Sequence, residues 1–374
     1  MKLLEISLNI MAKNKSDVFI ICGERSGDLH GSQIVKKLLS EKPNLKIHCW
    51  GGELMEKAGA TVLENYRTYN IMGFIEVLFK LNHIYKKISL CKSHIIDYNP
   101  KVILLIDFPG FNLKIAKFSK INGFKVHYFI PPKAWAWNKM RAKTMSRYVD
   151  KIYSILPFEV DFFRKYNCNI SYVGNPLVGQ ISEKRKNKNN FTNTISLLPG
   201  SRESELKYSL PIFKKIIEEL KDYNFKVCGV NNLNKQLYSD FNKFNNVTLF
   251  FDKTYDVVSS SNISIVMSGT ASLEVSLLNT PQVVVYKASW ISYLIAKIIV
   301  KIKYISLVNL ILNKRVVPEL IQNDFNHNNV IFEINKMNNK LITSSMLNDY
   351  SLIRKKIGNK ISENEVYKIL EKDL

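Results

Sequence analysis

Ile195-Ser196-Leu197-Leu198-Pro199-Gly200-Ser201-Arg202 reads as a buried strand that ends abruptly in a small-residue turn closed by a cation. Ile195, Leu197 and Leu198 supply the strand, and Pro199 and Gly200 break it. From Glu203 to Leu220 apolar residues then recur at helical spacing through Leu206, Leu210, Phe213, Ile217 and Leu220. Strand, tight turn and helix in that order form the unit of a parallel α/β sheet. The turn delivers Gly200, Ser201, Arg202 and free backbone N–H groups to a helix N-terminus, where partial positive charge favours an anion. An ordinary strand-to-helix turn with a surface arginine fits the same residues. The stretch lacks the Lys-Ser/Thr ending of a P-loop, which argues against a triphosphate hydrolase.

A second stretch repeats the pattern. Ile263–Met267 is a short apolar run, and Ser268-Gly269-Thr270-Ala271-Ser272-Leu273-Glu274 follows it as a small-residue turn and helix start. Gly269 and Thr270 suit close approach to a pyrophosphate. Glu274, about one turn into the helix, is placed to accept both hydroxyls of a ribose, and is equally placed to be a helix-N-terminal charge with no ligand.

Elsewhere the same alternation holds. Asp17–Cys22 runs into Gly23-Glu24-Arg25-Ser26-Gly27-Asp28 and a helix over Leu29–Leu39. Lys46–Trp50, Val102–Ile106 and Lys125–Ile130 are further strands, and in the second half so are Lys226–Cys228, Val247–Phe250 and Gln282–Val285. The expected fold is α/β, with two Rossmann-like parallel-sheet domains facing a cleft and ligand loops at the carboxyl ends of the strands. The expected boundaries are an extension over 1–15, a first domain over 16–180, a linker or surface loop over 181–194 and a second domain over 195–345. Helices over 346–374 are expected to return to the first domain, by fold-level analogy. The run Glu183–Asn190 is charged and has nothing to bury. It reads as solvated linker, since the interleaved aromatics of a nucleic-acid patch are missing.

Composition sets the outer bounds. The chain has 374 residues and 46% hydrophobic content, enough for two domains with real cores. Lys plus Arg number 54 against 32 for Asp plus Glu, a formal charge of +22. That excess points to an acidic partner: nucleic acid, an anionic membrane surface or phosphorylated substrates. Part of it follows from a Lys-, Asn- and Ile-rich composition of the kind AT-biased codon usage produces. Cys22, Cys49, Cys91, Cys168 and Cys228 are scattered and read as reduced thiols. The histidines show no metal-ligand spacing, so no metal and no cofactor are expected. Residues 1–10 make a poor targeting segment, interrupted by Glu5 and Asn9, and Met11 is an alternative start. Ile291–Leu312 carries Lys297, Lys301 and Lys303, too costly for a spanning helix but compatible with a place on a membrane surface.

Seven blocks in colinear order carry a resemblance. They are Gly23-Glu24-Arg25-Ser26-Gly27-Asp28-Leu29-His30-Gly31, Met72-Gly73-Phe74-Ile75-Glu76-Val77-Leu78, Ile106-Asp107-Phe108-Pro109-Gly110-Phe111-Asn112, Trp135-Ala136-Trp137, Leu156-Pro157-Phe158-Glu159, Leu198-Pro199-Gly200-Ser201-Arg202 and Ser268-Gly269-Thr270. Together they resemble the lipid-A-disaccharide synthase family over about residues 17–325. The resemblance implies a glycosyltransferase-B fold and an inverting transfer of 2,3-diacylglucosamine from its UDP derivative to 2,3-diacylglucosamine 1-phosphate. The product would be the β-1,6-linked disaccharide 1-phosphate of lipid A, with release of UDP. It further implies a cytoplasmic enzyme peripheral to the inner membrane, with an anionic lipid surface as partner and no nucleic acid; oligomeric state stays open.

Such a transfer needs a base at the acceptor 6-hydroxyl and a cation at the departing diphosphate. By resemblance Asp107 is the base and Arg202 the cation. Gly200, Ser201, Gly269, Thr270, Glu274 and Asn309 then hold the UDP-sugar, and Glu24, Ser26, Gly27, Asp28 and Asn112 the acceptor. On residues alone Asp107 fits a turn-stabilising role equally well, given Pro109 and Gly110 after it. Trp135 and Trp137 fit core packing as well as ligand stacking. Some family members differ at Lys101, Gly110, Pro131-Pro132 and Asn175, so no role is carried to those positions. Two other readings stay open: another UDP-sugar enzyme on the same fold, such as a peptidoglycan N-acetylglucosaminyltransferase or an epimerase, and a non-catalytic basic binder of nucleic acid or membrane.

Ile71–Leu81 is apolar almost all round, interrupted only by Gly73, Glu76 and Lys80, and is too short to span a bilayer. A core helix is the commoner fate of such a stretch. With Lys86, Lys87 and Lys92 following it and acylated substrates implied, the expectation is membrane contact through Ile71, Met72, Phe74, Ile75, Leu78 and Phe79.

Overall fold

A computed structural model describes residues 15–69, 81–181, 193–300 and 302–374. The chain divides into two compact units. The first runs to Pro176 and takes back Lys360–Leu374, and the second spans Leu177–Asn359.

The first unit is built on a seven-stranded sheet, all of it parallel. Its strands are β1 (Val18–Ile21), β2 (Ile47–Gly51), β3 (Thr61–Asn65), β4 (Val102–Ile106), β5 (Lys125–Phe129), β6 (Lys151–Ser154) and β7 (Ile170–Tyr172), in the order 3-2-1-4-5-6-7. β1 and β4 are wholly buried runs, Val-Phe-Ile-Ile and Val-Ile-Leu-Leu-Ile, because a parallel strand is covered on both faces. Alternate residues feed two cores. Phe19, Ile21, Ile103 and Leu105 join one, and Val18, Ile20, Val102 and Leu104 the other. Helices α1 (Arg25–Glu41), α2 (Glu53–Lys57), α3 (Leu81–Tyr98), α4 (Pro109–Ile121), α5 (Lys139–Tyr148) and α6 (Pro157–Arg164) connect the strands.

The second unit carries a six-stranded parallel sheet. Its strands are β8 (Thr194–Leu198), β9 (Asn224–Gly229), β10 (Val247–Phe251), β11 (Ile263–Met267), β12 (Gln282–Tyr286) and β13 (Glu319–Ile321), in the order 10-9-8-11-12-13. Helices α7 (Leu177–Ile181), α8 (Glu203–Glu219), α9 (Thr254–Ser259), α10 (Thr270–Leu277), α11 (Trp290–Ile299), α12 (Leu307–Leu312), α13 (His327–Lys336) and α14 (Lys340–Ile357) complete it. The strand order reverses between β1 and β4 in one sheet and between β8 and β11 in the other. At such reversals neighbouring loops diverge and leave room for a ligand.

The closing helix α15 (Ser362–Leu370) returns to the first unit, where Val366 and Leu370 are buried with Ile34, Val35 and Leu38 of α1. His127 Nε2 lies 3.1 Å from the Asp373 carboxylate, and Lys101 Nζ donates to the Leu374 carbonyl at 3.1 Å. The 181–194 linker falls largely outside the described residues. So do the membrane-contact candidates Ile71, Met72, Phe74, Ile75, Leu78 and Phe79. Among the described residues no helix is long and apolar enough to cross a membrane.

Candidate active site

Neighbouring strands β8 and β11 bring the two small-residue loops of the second unit to one edge of its sheet. Gly200 sits at φ +115°, and a β-carbon there would lie 2.4 Å from Glu205 Oε2, so the turn requires glycine. Arg202 caps α8, and Glu205 reaches back from one turn on. Its Oε2 accepts from the backbone N–H of Ser201 at 2.8 Å and of Arg202 at 3.3 Å, and its Oε1 from the Arg202 guanidinium at 3.4 Å. The amides expected to receive an anion therefore already hold a carboxylate, the Glu205 half of a capping box, since the Arg202 guanidinium has no acceptor to complete it. The Arg202 side chain remains 74% exposed.

The Gly269 loop is different in kind. Gly269 has φ 166°, extended backbone open to any residue, and a β-carbon there would touch nothing within 4 Å. Nothing among the described residues demands glycine there, which leaves space for a ligand. Glu274 is half-buried and hydrogen-bonded to Tyr255, and burial pushes its carboxyl up to about 7. Asn309 stands apart, buried and saturated. Its Nδ2 donates to Val317 O (3.0 Å) and Glu319 Oε1 (2.8 Å), and its Oδ1 accepts from Val316 N (2.7 Å) and Val317 N (3.0 Å). With every hydrogen-bonding position used, it acts on the edge only through Glu319. That carboxylate also holds Ile305 N and Ser306 N, while Ile305 O receives the Ser268 hydroxyl at 3.3 Å.

In the first unit, β1 and β4 place the Gly23–Asp28 and Asp107–Asn112 loops side by side. The contact is close: a β-carbon on Gly23 would meet the Phe108 ring at 2.1 Å. Asp107 and Phe108 are consecutive non-glycine residues at φ 44° and 50°, and Ile130 at the end of β5 stands at φ 60°. Strain of this kind persists only where the surroundings over-determine it, and the Asp107 backbone is clamped. Its N–H donates to Phe129 O at 3.0 Å, and its carbonyl accepts from Tyr128 Oη at 2.5 Å and Asn112 Nδ2 at 2.8 Å. Burial and then the Glu24 carboxylate push the Asp107 carboxyl up to about 6, against the pull of the Phe108 N–H, Lys133 and Arg141. A carboxylate so poised suits proton abstraction near neutral pH.

Of the remaining acceptor candidates, Glu24 and Ser26 present polar atoms, with Ser26 Oγ donating to Glu24 Oε1 at 2.5 Å. The others shape the loop. The buried Asp28 carboxylate accepts from Gly52 N (2.9 Å), Leu54 N (3.1 Å) and Met55 N (3.2 Å), capping α2. Gly27 lets α1 pass Cys22, whose β-carbon lies 2.7 Å from where one on Gly27 would stand. Asn112 donates to the carbonyls of Ile106 and Asp107, and its buried Oδ1 finds no partner among the described residues.

Sequence reasoning missed Glu205, Glu319 and the cations beside Asp107. For Glu205 a signal existed, an acidic residue three positions after the helix N-cap. Glu319 reaches its partners only through the tertiary fold. Among the described residues no cluster of His, Cys, Asp or Glu could hold a metal ion.

Comparison with known proteins gives this geometry its context. The chain is 35% identical over 336 residues to the lipid-A-disaccharide synthase of Syntrophus aciditrophicus (strain SB), covering 86% of this chain and 88% of that one. Solved structures share the fold at low identity. A UDP-GlcNAc 2-epimerase from Neisseria meningitidis bound to UDP-GlcNAc superposes with a TM-score of 0.67 at 12% identity, covering 95% of this chain and all of that one. The glycotransferase of kitacinnamycin superposes with a TM-score of 0.66 at 9% identity, covering 96% and 99%. The architecture is thus of the glycosyltransferase-B type. The profile of the lipid-A-disaccharide synthetase family matches residues 18–371, and the chain belongs to that family.

Proposed function

We propose that the chain transfers 2,3-diacylglucosamine from its UDP derivative to the 6-hydroxyl of 2,3-diacylglucosamine 1-phosphate. The anomeric carbon inverts, and UDP and the β-1,6-linked disaccharide 1-phosphate are released. The observation that carries this reading is the family match over nearly the whole chain, with Asp107 and Arg202 at the carboxyl ends of strands at the two sheet reversals. Asp107 takes the proton from the attacking hydroxyl, with Glu24 and Ser26 against the acceptor sugar. Gly27, Asp28 and Asn112 hold that loop in shape. Arg202, with the backbone of Gly200 and Ser201, meets the negative charge that develops on the diphosphate. Gly269 and Thr270 admit the phosphates, Glu274 accepts from the ribose, and Asn309 supports the pocket from behind through Glu319.

The reading extends to a place of action: the cytoplasmic face of the inner membrane, against anionic lipid. Helix α11 supports it. Trp290 is 72%, Leu294 42% and Ile298 71% exposed, and their spacing of four sets them along one face. From Lys287 to Pro318 there is no acidic residue, while Lys287, Lys297, Lys301, Lys303, Lys314 and Arg315 are basic. Lys314 is paired with Asp349 at 2.8 Å, and an apolar helix face in a stretch otherwise of cations alone matches an anionic lipid surface.

The direct test supplies purified protein with both acylated substrates in detergent. Disaccharide and UDP should appear in equal amounts. UDP release without disaccharide would overturn the acceptor assignment, and epimerisation of a UDP-sugar without transfer would overturn the reaction class.

A further inference from the structure

Two sequence blocks have no part in the reaction as assigned: Trp135-Ala136-Trp137 and Leu156-Pro157-Phe158-Glu159. The fold gathers them beside Asp107. Trp135 Nε1 donates to Glu159 Oε1 at 3.0 Å, and Glu159 Oε2 accepts from Ser154 Oγ at 2.6 Å, so a buried carboxylate in the first turn of α6, tied to the last residue of β6, pins the first tryptophan. The pinned segment leaves β5 next to Asp107, whose N–H donates to the last residue of that strand. Its second tryptophan, Trp137, is 46% exposed and carries the Arg141 guanidinium 4.5 Å from its ring centroid.

Arg141 and Lys133 are cations with no ion-pair partner of their own. Neither side chain makes an ion pair or a hydrogen bond among the described residues. Both nevertheless act on the Asp107 carboxyl from nearby, and Lys133 acts on Glu159 as well. Helix stability does not account for Arg141, since a cation in the first turn of α5 opposes the helix dipole. Stacking on Trp137 instead holds the guanidinium fork oriented and partly dry, the state in which it grips a phosphate bidentately.

We propose that Arg141 and Lys133 form a phosphate-monoester subsite that holds the 1-phosphate of the acceptor while Asp107 addresses its 6-hydroxyl. The assignment rests on the acceptor reading of the first unit given above. A sugar ring separates the two groups of such an acceptor, so the phosphate-binding cations belong near the base but not paired with it, as observed. Two cations with no ion pair of their own also give selectivity, because an acceptor lacking the monoester leaves them without a hydrogen-bonded anion.

The test uses the full chain with Arg141→Met, Arg141→Lys and Lys133→Met. Glucosamine 1-phosphate, a lipid-free probe, is titrated by phosphorus NMR. Separately, KM is compared for the diacyl acceptor with and without its phosphate. Arg141→Met should weaken glucosamine 1-phosphate by about 10- to 100-fold, the scale of a lost charge-assisted contact, and raise KM for the phosphorylated acceptor alike. Lys133→Met should act in the same direction, Arg141→Lys should recover part of the loss, and UDP affinity should stay unchanged. The dephosphorylated acceptor should be indifferent to Arg141→Met, so that the preference for the phosphate disappears. A variant that keeps the wild-type preference, or that loses binding to anionic vesicles while holding glucosamine 1-phosphate, overturns the subsite. If the wild type forms no disaccharide at all, the reaction assignment fails and the probe titration alone decides. Loss of probe binding in Arg141→Met then upholds the subsite, and equal or absent binding in the wild type overturns it.

Discussion

Asp107 combines a strained backbone with a carboxyl shifted by burial and by Glu24, and both features have measurable consequences. A base must be deprotonated, and its carboxyl stands near 6, so kcat/KM should fall about tenfold per pH unit below that value and level off above it. Asp107→Asn should cost roughly 10² to 10⁴ in rate and abolish that limb, with UDP affinity kept because the residues proposed to hold UDP belong to the other unit. The sign for stability is opposite to that of a salt-bridged aspartate. The folded-state carboxyl is raised above its ordinary 3.8, so its contribution is fully present below that pH and is lost as pH rises through about 6. Asp107→Asn should therefore melt no lower than wild type at pH 8, and a lower melting temperature there would make Asp107 structural. For Arg202 the expectation is a loss of about a hundredfold or more in kcat on change to Ala, the scale of a removed transition-state donor. The fold should survive, because Glu205 bonds the backbone amides of Ser201 and Arg202 whatever side chain position 202 carries. Turnover at the wild-type rate in that variant would make the loop purely structural. Both residues stand where a strand gives way to a turn, which the sequence marks, but the role proposed for Asp107 came from the family resemblance, the residues alone fitting a turn-stabilising aspartate equally well. Asn309 and Asp28 could not be read so well, since what occupies their side chains is decided by chain segments brought near only on folding.

At the scale of elements, the fully buried strands were legible and several short or partly exposed ones were not. β4 is a continuous run of large apolar residues and β11 one broken only by Ser264, the pattern expected of a strand covered on both faces. β3, β6, β7 and β13 were missed. They have three to five residues each, with exposed or half-buried positions, so neither alternation nor an apolar run announces them. Helix α11 shows the converse: apolarity was plain in the sequence, but which face lacked a partner was visible only in the fold. If that face meets lipid, replacing Leu294 and Ile298 by Ser should weaken binding to phosphatidylglycerol-containing vesicles by roughly tenfold or more, given about 1–2 kcal/mol per side chain partly withdrawn from water. The melting temperature should change little, because Ile298 is largely exposed and Leu294 only partly covered. Trp290 fluorescence should shift to the blue on adding vesicles to the wild type. Unchanged vesicle affinity, or loss of a concentration-dependent dimer in its place, would assign the face to protein contact.

Across the whole molecule the chain changes unit twice, at Pro176–Leu177 and again at Asn359–Lys360. The first unit is therefore incomplete until the last fifteen residues have been made, although its sheet is finished at β7. Two side chains of α15 carry this dependence: Val366 and Leu370 are fully buried against α1 and the sheet. Truncating a buried leucine to alanine costs about 2–5 kcal/mol, a large share of what a domain this size has to spare. Leu370→Ala should thus lower the melting of the first unit selectively and leave the second, whose core it does not touch, unaffected. Two domains that unfold separately give two calorimetric transitions, and UDP added to the variant should raise only the transition of the second unit, through ligand linkage. The decisive condition is a temperature at which the first transition is complete and the second has not begun. There the variant should still bind UDP while turnover is lost. If UDP binding disappears together with the first transition, the second unit depends on the first for its fold, and the nucleotide site is not the property of one unit.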